Sequence, residues 1–128
     1  MALHNQLILN AKAVNPPTDV GKTVDWMRNL VDQIDMKVIQ GPYASYVTKE
    51  GNRGVTCVVM IETSHIALHV WDETDPALIQ LDLYTCSTLP HLDVIQNLKD
   101  SFNLITYEYL IIERSLGFKI IEQGSFGI

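Results

Sequence analysis

The sequence has little charge, few basic residues and few cysteines. Charged residues make up 19% of its 128 residues, below the roughly 25% that is usual for soluble domains. Nine Lys and Arg residues against fifteen Asp and Glu residues give a net charge of −6. Binding to nucleic acid or to an anionic membrane depends on clusters of basic residues. The charge balance therefore argues against both kinds of partner.

Long apolar runs and a disulfide framework are also missing. No run approaches the roughly 20 residues that cross a bilayer, and the N-terminus lacks the basic and apolar regions of a signal peptide. Two cysteines, Cys57 and Cys86, are too few for a disulfide framework. We therefore expect a cytoplasmic protein with free thiols.

The spacing of apolar residues predicts an α+β domain. Strands are expected near residues 7–13, 36–47, 55–61, 66–71, 77–85 and 105–112. Amphipathic helices are expected from Val20 to Ile34 and from Pro90 to Phe102. Consecutive strands favour a largely antiparallel sheet with the two helices on one face. This architecture is a two-layer sandwich, and the low charge suggests that a second copy of the chain buries the other face of the sheet.

Two histidines and several carboxylates lie in one segment, Glu62 to Glu73. His65 and His69 are four residues apart, which is a zinc-binding spacing on a helix. This segment is predicted to be a strand, in which the two rings would lie ~13 Å apart. One metal ion cannot bridge that distance, so we expect no metal site.

Two nucleophiles accompany these histidines. Ser64 lacks the G-x-S-x-G signature of many serine hydrolases. Cys86 could act as a thiol nucleophile with a histidine, although no local signature supports that role. A cysteine in a strand is also often buried for packing alone. Spacing by itself leaves these alternatives open.

The segment Ser64–Glu73 (SHIALHVWDE) resembles the S-H-(apolar)-x-(apolar)-H-x-W-x-E segment of the bacterial and archaeal S-adenosylmethionine decarboxylase proenzymes. Leu81–Cys86 (LDLYTC) and Gly54–Ile61 (GVTCVVMI) are similar to two further segments of that family. The resemblance extends to Arg114 and implies one domain over residues 1–114. The remaining tail, residues 115–128, holds three glycines and is expected to be loose.

The resemblance implies a pyruvoyl enzyme that makes its own cofactor. Ser64 would attack the preceding carbonyl, the Thr63–Ser64 bond would break, and Ser64 would become the pyruvoyl group. His69 matches the histidine that assists this cleavage, and Thr56 stands where the family has an assisting serine. Cys86 matches the cysteine that returns a proton to the substrate α-carbon. The pyruvoyl ketone would accept the electrons left by decarboxylation, as pyridoxal phosphate does elsewhere.

The resemblance also implies a substrate, with S-adenosylmethionine favoured and polyamine (spermidine) synthesis as the setting. Glu73 matches a substrate-binding carboxylate, and Glu62 and Trp71 are further candidates for substrate contact. Thr63 replaces the family's usual glutamate, and the family's adenine-stacking aromatics have no match at the same place. Two alternatives follow: a pyruvoyl decarboxylase of arginine or ornithine, and an uncleaved homologue that binds a ligand or regulates a partner.

The distance between two of these residues predicts a homodimer. Ser64 and His69 are five residues apart, or ~16 Å along an extended strand. A general base must approach to about 3 Å. We therefore expect His69 and Thr56 of a second, two-fold-related chain to serve Ser64, which agrees with the shared-site dimer that the resemblance implies.

Overall fold

The computed structural model describes residues 3–127 and contains one antiparallel sheet of seven strands with two helices. The strands are β1 (Asn5–Ala13), β2 (Val38–Val47), β3 (Gly54–Ile61), β4 (Ser64–Trp71), β5 (Ala77–Thr85), β6 (Leu104–Glu113) and β7 (Lys119–Phe126). The helices are α1 (Val20–Gln33) and α2 (His91–Phe102). The strand order in the sheet is β2-β3-β4-β5-β1-β6-β7. The predicted α+β sandwich is confirmed. Neither helix is long and apolar enough to cross a membrane.

The two helices form the second layer because each has one apolar stripe. Helix α1 begins after Asp19, whose carboxylate accepts a hydrogen bond from the Lys22 backbone N–H at 2.8 Å. The side chains that α1 and α2 bury against the sheet include Met27, Leu30, Leu98 and Phe102. Residues three and four apart share a helix face, so this spacing directs the apolar stripe toward the sheet.

The face of the sheet opposite the helices is left uncovered within one chain. Along β4, Ile66, Leu68 and Val70 are buried, whereas the alternating His65 and His69 are only half-buried. The same alternation recurs in β1, β3 and β5. Large apolar side chains on the uncovered side, among them Ile8, Val58 and Met60, are exposed.

The prediction of a loose C-terminal tail is wrong for residues 119–126. These residues form β7, which pairs with β6 and places Gln123 opposite Leu110. An edge strand needs only backbone hydrogen bonds to one neighbour, so its side chains can stay exposed, and most in β7 are. Two of the three tail glycines, Gly117 and Gly127, lie outside β7 and do not weaken its pairing.

Candidate functional site

Ser64 is the first residue of β4 and follows a two-residue turn. Glu62 and Thr63 connect β3 to β4, and Ile61 pairs with Ser64 across the hairpin. The backbone of Ser64 has φ 143°, which side-chain-bearing residues rarely adopt. Such a conformation costs roughly 1–3 kcal/mol and persists only where the surrounding structure holds it. The hairpin therefore holds backbone strain at Ser64, next to the Thr63–Ser64 bond.

Cys86 lies beside that bond through the register of the next strand. Ser64 pairs with Thr85, and the backbone N–H of Cys86 donates a hydrogen bond to the carbonyl oxygen of Thr63 at 3.0 Å. A backbone donor on this carbonyl stabilises negative charge that develops on its oxygen during attack. The fold thus brings Thr63, Ser64 and Cys86 together. We call these residues and Glu62 the cleavage group.

Thr56 and His69 form a second pair on the uncovered face of the sheet. They are opposite each other in the β3–β4 register, and the Thr56 hydroxyl lies 3.3 Å from Nδ1 of His69. The Trp71 ring lies 6.1 Å from the His69 ring on the same face. A histidine held by a hydroxyl in this way is oriented for proton transfer.

Glu73 lies just beyond this pair, at the end of β4. Its carboxylate accepts a hydrogen bond from the Arg53 backbone N–H at 3.0 Å. The indole N–H of Trp71 points to the Asn52 side-chain oxygen at 3.4 Å. Trp71 therefore neighbours His69, whereas Glu73 lies four residues further along the chain, at the same end of β3 and β4. We call the four residues Thr56, His69, Trp71 and Glu73 the histidine group.

The structure does not bring the cleavage group and the histidine group together within one chain. Ser64 and His69 are five positions apart along β4, which corresponds to ~16 Å. Glu62 is at the hairpin turn with the cleavage group, so the three candidate substrate-binding residues are also divided between the groups. The candidate residues therefore form two groups at different places along one strand.

The two cysteines differ in environment, and this difference predicts their reactivity. Cys57 is buried, and burial raises the pKa of its thiol to about 11. At pH 8 only ~0.1% of such a thiol is ionised, and the thiolate is the reactive form. We expect iodoacetamide to label only Cys86, which is partly exposed, and to label Cys57 after denaturation. Mass spectrometry of tryptic peptides measures this, and rapid labelling of Cys57 in the native protein would contradict it.

The strain at Ser64 predicts a stability difference between two uncleaved variants. Ser64→Gly removes the steric penalty of φ 143°, whereas Ser64→Ala keeps it. Glycine costs roughly 0.5–1 kcal/mol in chain entropy, less than the strain it relieves. Ser64→Gly should therefore be more stable than Ser64→Ala by about 1 kcal/mol. Urea unfolding of the two variants measures this, and an equal or lower stability of Ser64→Gly would show that the backbone is not strained.

Comparison with known proteins identifies the family of this chain. The family model described as S-adenosylmethionine decarboxylase matches residues 5–115. The chain belongs to the S-adenosylmethionine decarboxylase family. The match includes the whole cleavage group and the whole histidine group, and it ends before β7.

Individual relatives in this family support the assignment. A protein of Archaeoglobus fulgidus named S-adenosylmethionine decarboxylase proenzyme is 26% identical over 89 residues, which cover 69% of this chain and 78% of the relative. Proteins of the same name from Thermococcus onnurineus and Thermococcus kodakarensis are each 47% identical over 45 residues, or 35% of this chain and 30% of theirs.

Two further residues of this S-adenosylmethionine decarboxylase family member lie near Cys86 and were missed by the sequence interpretation. His91 begins α2 and lines the same cleft as Cys86. Glu122 of β7 lines it too, and its Oε2 lies 2.6 Å from Nε2 of His91. The two residues are far apart in sequence and meet only because β7 pairs with β6. A sequence interpretation that predicts a loose C-terminal tail cannot place Glu122 next to His91.

Proposed function

We propose that this chain is a pyruvoyl-dependent S-adenosylmethionine decarboxylase proenzyme that cleaves itself between Thr63 and Ser64. The observation that carries the proposal is the hydrogen bond from the Cys86 backbone N–H to the Thr63 carbonyl, next to the strained backbone of Ser64. Family membership over residues 5–115 supports the same reaction. Free cysteines without a disulfide between them fit a cytoplasmic setting.

Cleavage needs a nucleophile, a base and a stabilised oxyanion. The Ser64 hydroxyl attacks the Thr63 carbonyl carbon, the C–N bond breaks, and the hydroxyl proton passes to the nitrogen, which leaves an ester. The Cys86 N–H holds the carbonyl oxygen while it carries negative charge. Loss of the α-proton of residue 64 then expels the Thr63 carboxylate, and water releases the nitrogen as ammonia. Because the C–N bond between Thr63 and Ser64 breaks in the first step, the φ strain of Ser64 is released there and favours the ester.

After cleavage, the pyruvoyl group and Cys86 are the groups that suit decarboxylation. The pyruvoyl group supplies an electron sink for the bond that loses carbon dioxide. Cys86 directly follows β5, with its backbone next to Thr63, and its thiol would donate a proton to the substrate α-carbon. A thiol is a suitable acid near neutral pH. Cys57 cannot replace Cys86, since it is buried in the core on β3.

A two-fold dimer completes the site. If the β4 strands of the two copies stack antiparallel, a two-fold axis that brings His69 of one copy near Ser64 of the other passes midway between these residues, next to Ala67. Ala67 belongs to a row that crosses all seven strands on the uncovered face. The row is Tyr43, Val58, Ala67, Asp82, Ile8, Leu110 and Gln123.

The composition of this row suits an interface between two sheets. Tyr43, Val58 and Ile8 are large and exposed in a single chain, and stacking two such faces removes them from water. Asp82 is the acidic member, and its carboxylate lies 3.5 Å from Nε2 of His65 and accepts a hydrogen bond from Gln6. We therefore propose a homodimer in which each copy supplies the histidine group for the other copy's cleavage group.

The dimer would unite the three proposed substrate-binding residues. Glu62 of one copy would lie near Glu73 and Trp71 of the other. S-adenosylmethionine carries a cationic sulfonium and an aromatic base, which match carboxylates and an indole ring. Arginine and ornithine are also cationic but lack the aromatic base, so Trp71 is the residue that favours S-adenosylmethionine.

The deciding experiment combines intact mass with carbon dioxide release. Purified chain should separate under denaturing conditions into fragments of 63 and 65 residues. It should release labelled carbon dioxide from carboxyl-labelled S-adenosylmethionine, and more slowly from arginine or ornithine. Faster release from arginine or ornithine would keep the mechanism and change the substrate. An intact chain that binds S-adenosylmethionine without release would instead support a ligand-binding or regulatory homologue.

A further inference from the structure

A cleft of about 580 Å³ opens beside Cys86 between the start of α2 and β7. Its volume is within the range of small-molecule sites. Its other lining residues include Leu89, His91, Ile121 and Glu122. We call it the Cys86 cleft.

One wall of the Cys86 cleft comes from outside the region that the family model matches. Ile121 and Glu122 belong to β7, whereas the match ends at residue 115. The pattern that identifies the family therefore does not describe this wall. If β7 were removed, this side of the cleft would be open to solvent.

A clamp of three side chains holds β7 against the rest of the fold. Oε2 of Glu122 lies 2.6 Å from Nε2 of His91 and accepts a hydrogen bond from the Tyr109 hydroxyl at 2.8 Å. The hydrogen bond to Glu122 is the main reason that the pKa of Tyr109 is raised, so the phenol remains a donor. Bonds to a charged acceptor are stronger than neutral ones. Glu122 thereby ties β7 to both α2 and β6.

Gly124 makes room for this clamp. A Cβ at residue 124 would lie 2.7 Å from Cε1 of Tyr109 and 2.9 Å from its hydroxyl. Any side chain there would push the Tyr109 ring away from its present position. The absence of a side chain at residue 124 therefore allows the Tyr109 hydroxyl to reach Glu122.

We propose that β7 is a wall of the active site and that His91 and Glu122 are positioning residues that hold it over Cys86. The inference rests on the proposed function, in which Cys86 must deliver its proton to one carbon of the substrate. A closed wall limits access of water and other solutes to the thiol and shapes the cleft that a substrate enters. Ile121 and Glu122 then influence which substrate fits.

The first test measures access to Cys86 in a chain that cannot be cleaved. In the Ser64→Ala background, Glu122→Ala and His91→Ala should each raise the rate of Cys86 alkylation by iodoacetamide about fivefold, the factor that matches the loss of one partly exposed contact. The matched control is Glu50→Ala, which removes a carboxylate from the exposed turn between β2 and β3. It should leave the rate unchanged. Resistance of Cys57 to labelling in the same samples reports that the core is intact.

The outcomes of this test are decisive in both directions. A faster Cys86 reaction in both Glu122→Ala and His91→Ala, with Cys57 still resistant, would support the proposal. Unchanged Cys86 labelling in both variants would overturn it. These rates are measured without cleavage or decarboxylation, so they stand even if wild-type chain proves not to cleave.

The second test separates a positioning role from general destabilisation. In processed enzyme, Glu122→Gln should raise KM several-fold and change kcat little, because a wall that contacts substrate contributes binding shared by ground and transition states. Glu50→Gln should change neither constant. A fall in kcat with unchanged KM would contradict the assignment of the wall to substrate binding.

Discussion

Ser64→Ala is expected to remain a single chain of 128 residues and to release no carbon dioxide from any of the three candidate substrates. Alanine lacks the hydroxyl that attacks the Thr63 carbonyl, so neither the ester nor the pyruvoyl group can form. The expected loss of activity is complete, because the same atom is needed for cleavage and for the electron sink. Denaturing mass spectrometry and a carbon dioxide release assay measure the two effects.

A second serine provides the matched control. Ser87 is also near Cys86 and its backbone N–H donates a hydrogen bond to Thr85, but its hydroxyl has no role in the proposed cleavage. Ser87→Ala should be cut into the same two fragments as the wild-type chain. Fragments of 63 and 65 residues from Ser64→Ala would mean that another group attacks the bond. Resistance of Cys57 to labelling would again report an intact core.

The local parts of the fold could be predicted from sequence because local patterns specify them. The strand Ala77–Thr85 has the predicted bounds, since apolar and polar residues alternate along it. Helix α1 begins at the predicted Val20, where Asp19 supplies a cap. β7 was missed because an exposed edge strand has no buried face and so no clear alternation of apolar residues.

The site was predictable only in part, for a related reason. Chemistry and resemblance pointed to Ser64, Cys86 and His69, but only strand register brings Cys86 to the Thr63 carbonyl and Thr56 to His69. The backbone donor on that carbonyl has no signature in the sequence, since every residue except proline has an N–H. His91 and Glu122 depend on a contact between distant segments.

Mixing two inactive variants should restore cleavage if the site is shared. His69→Ala should remain uncut alone, because each of its sites lacks the assisting histidine. In a mixed dimer with Ser64→Ala, the partner supplies an intact His69 to the Ser64 of the His69→Ala chain. Random pairing of equal amounts puts about half of the His69→Ala chains in mixed dimers. Co-expression should therefore cut about half of them and no Ser64→Ala chains, as separate affinity tags and intact mass would measure.

The same experiment distinguishes this arrangement from one in which each chain cleaves itself. If His69 served Ser64 of its own chain, no mixed dimer would contain a working site and both variants would stay whole. A double variant, Ser64→Ala with His69→Ala, is the matched control partner and should rescue nothing. The ~16 Å between Ser64 and His69 along β4 favours rescue, because neither side chain can cross that distance within one sheet. Rescue by the single variant and not by the double variant would assign the histidine to the partner subunit.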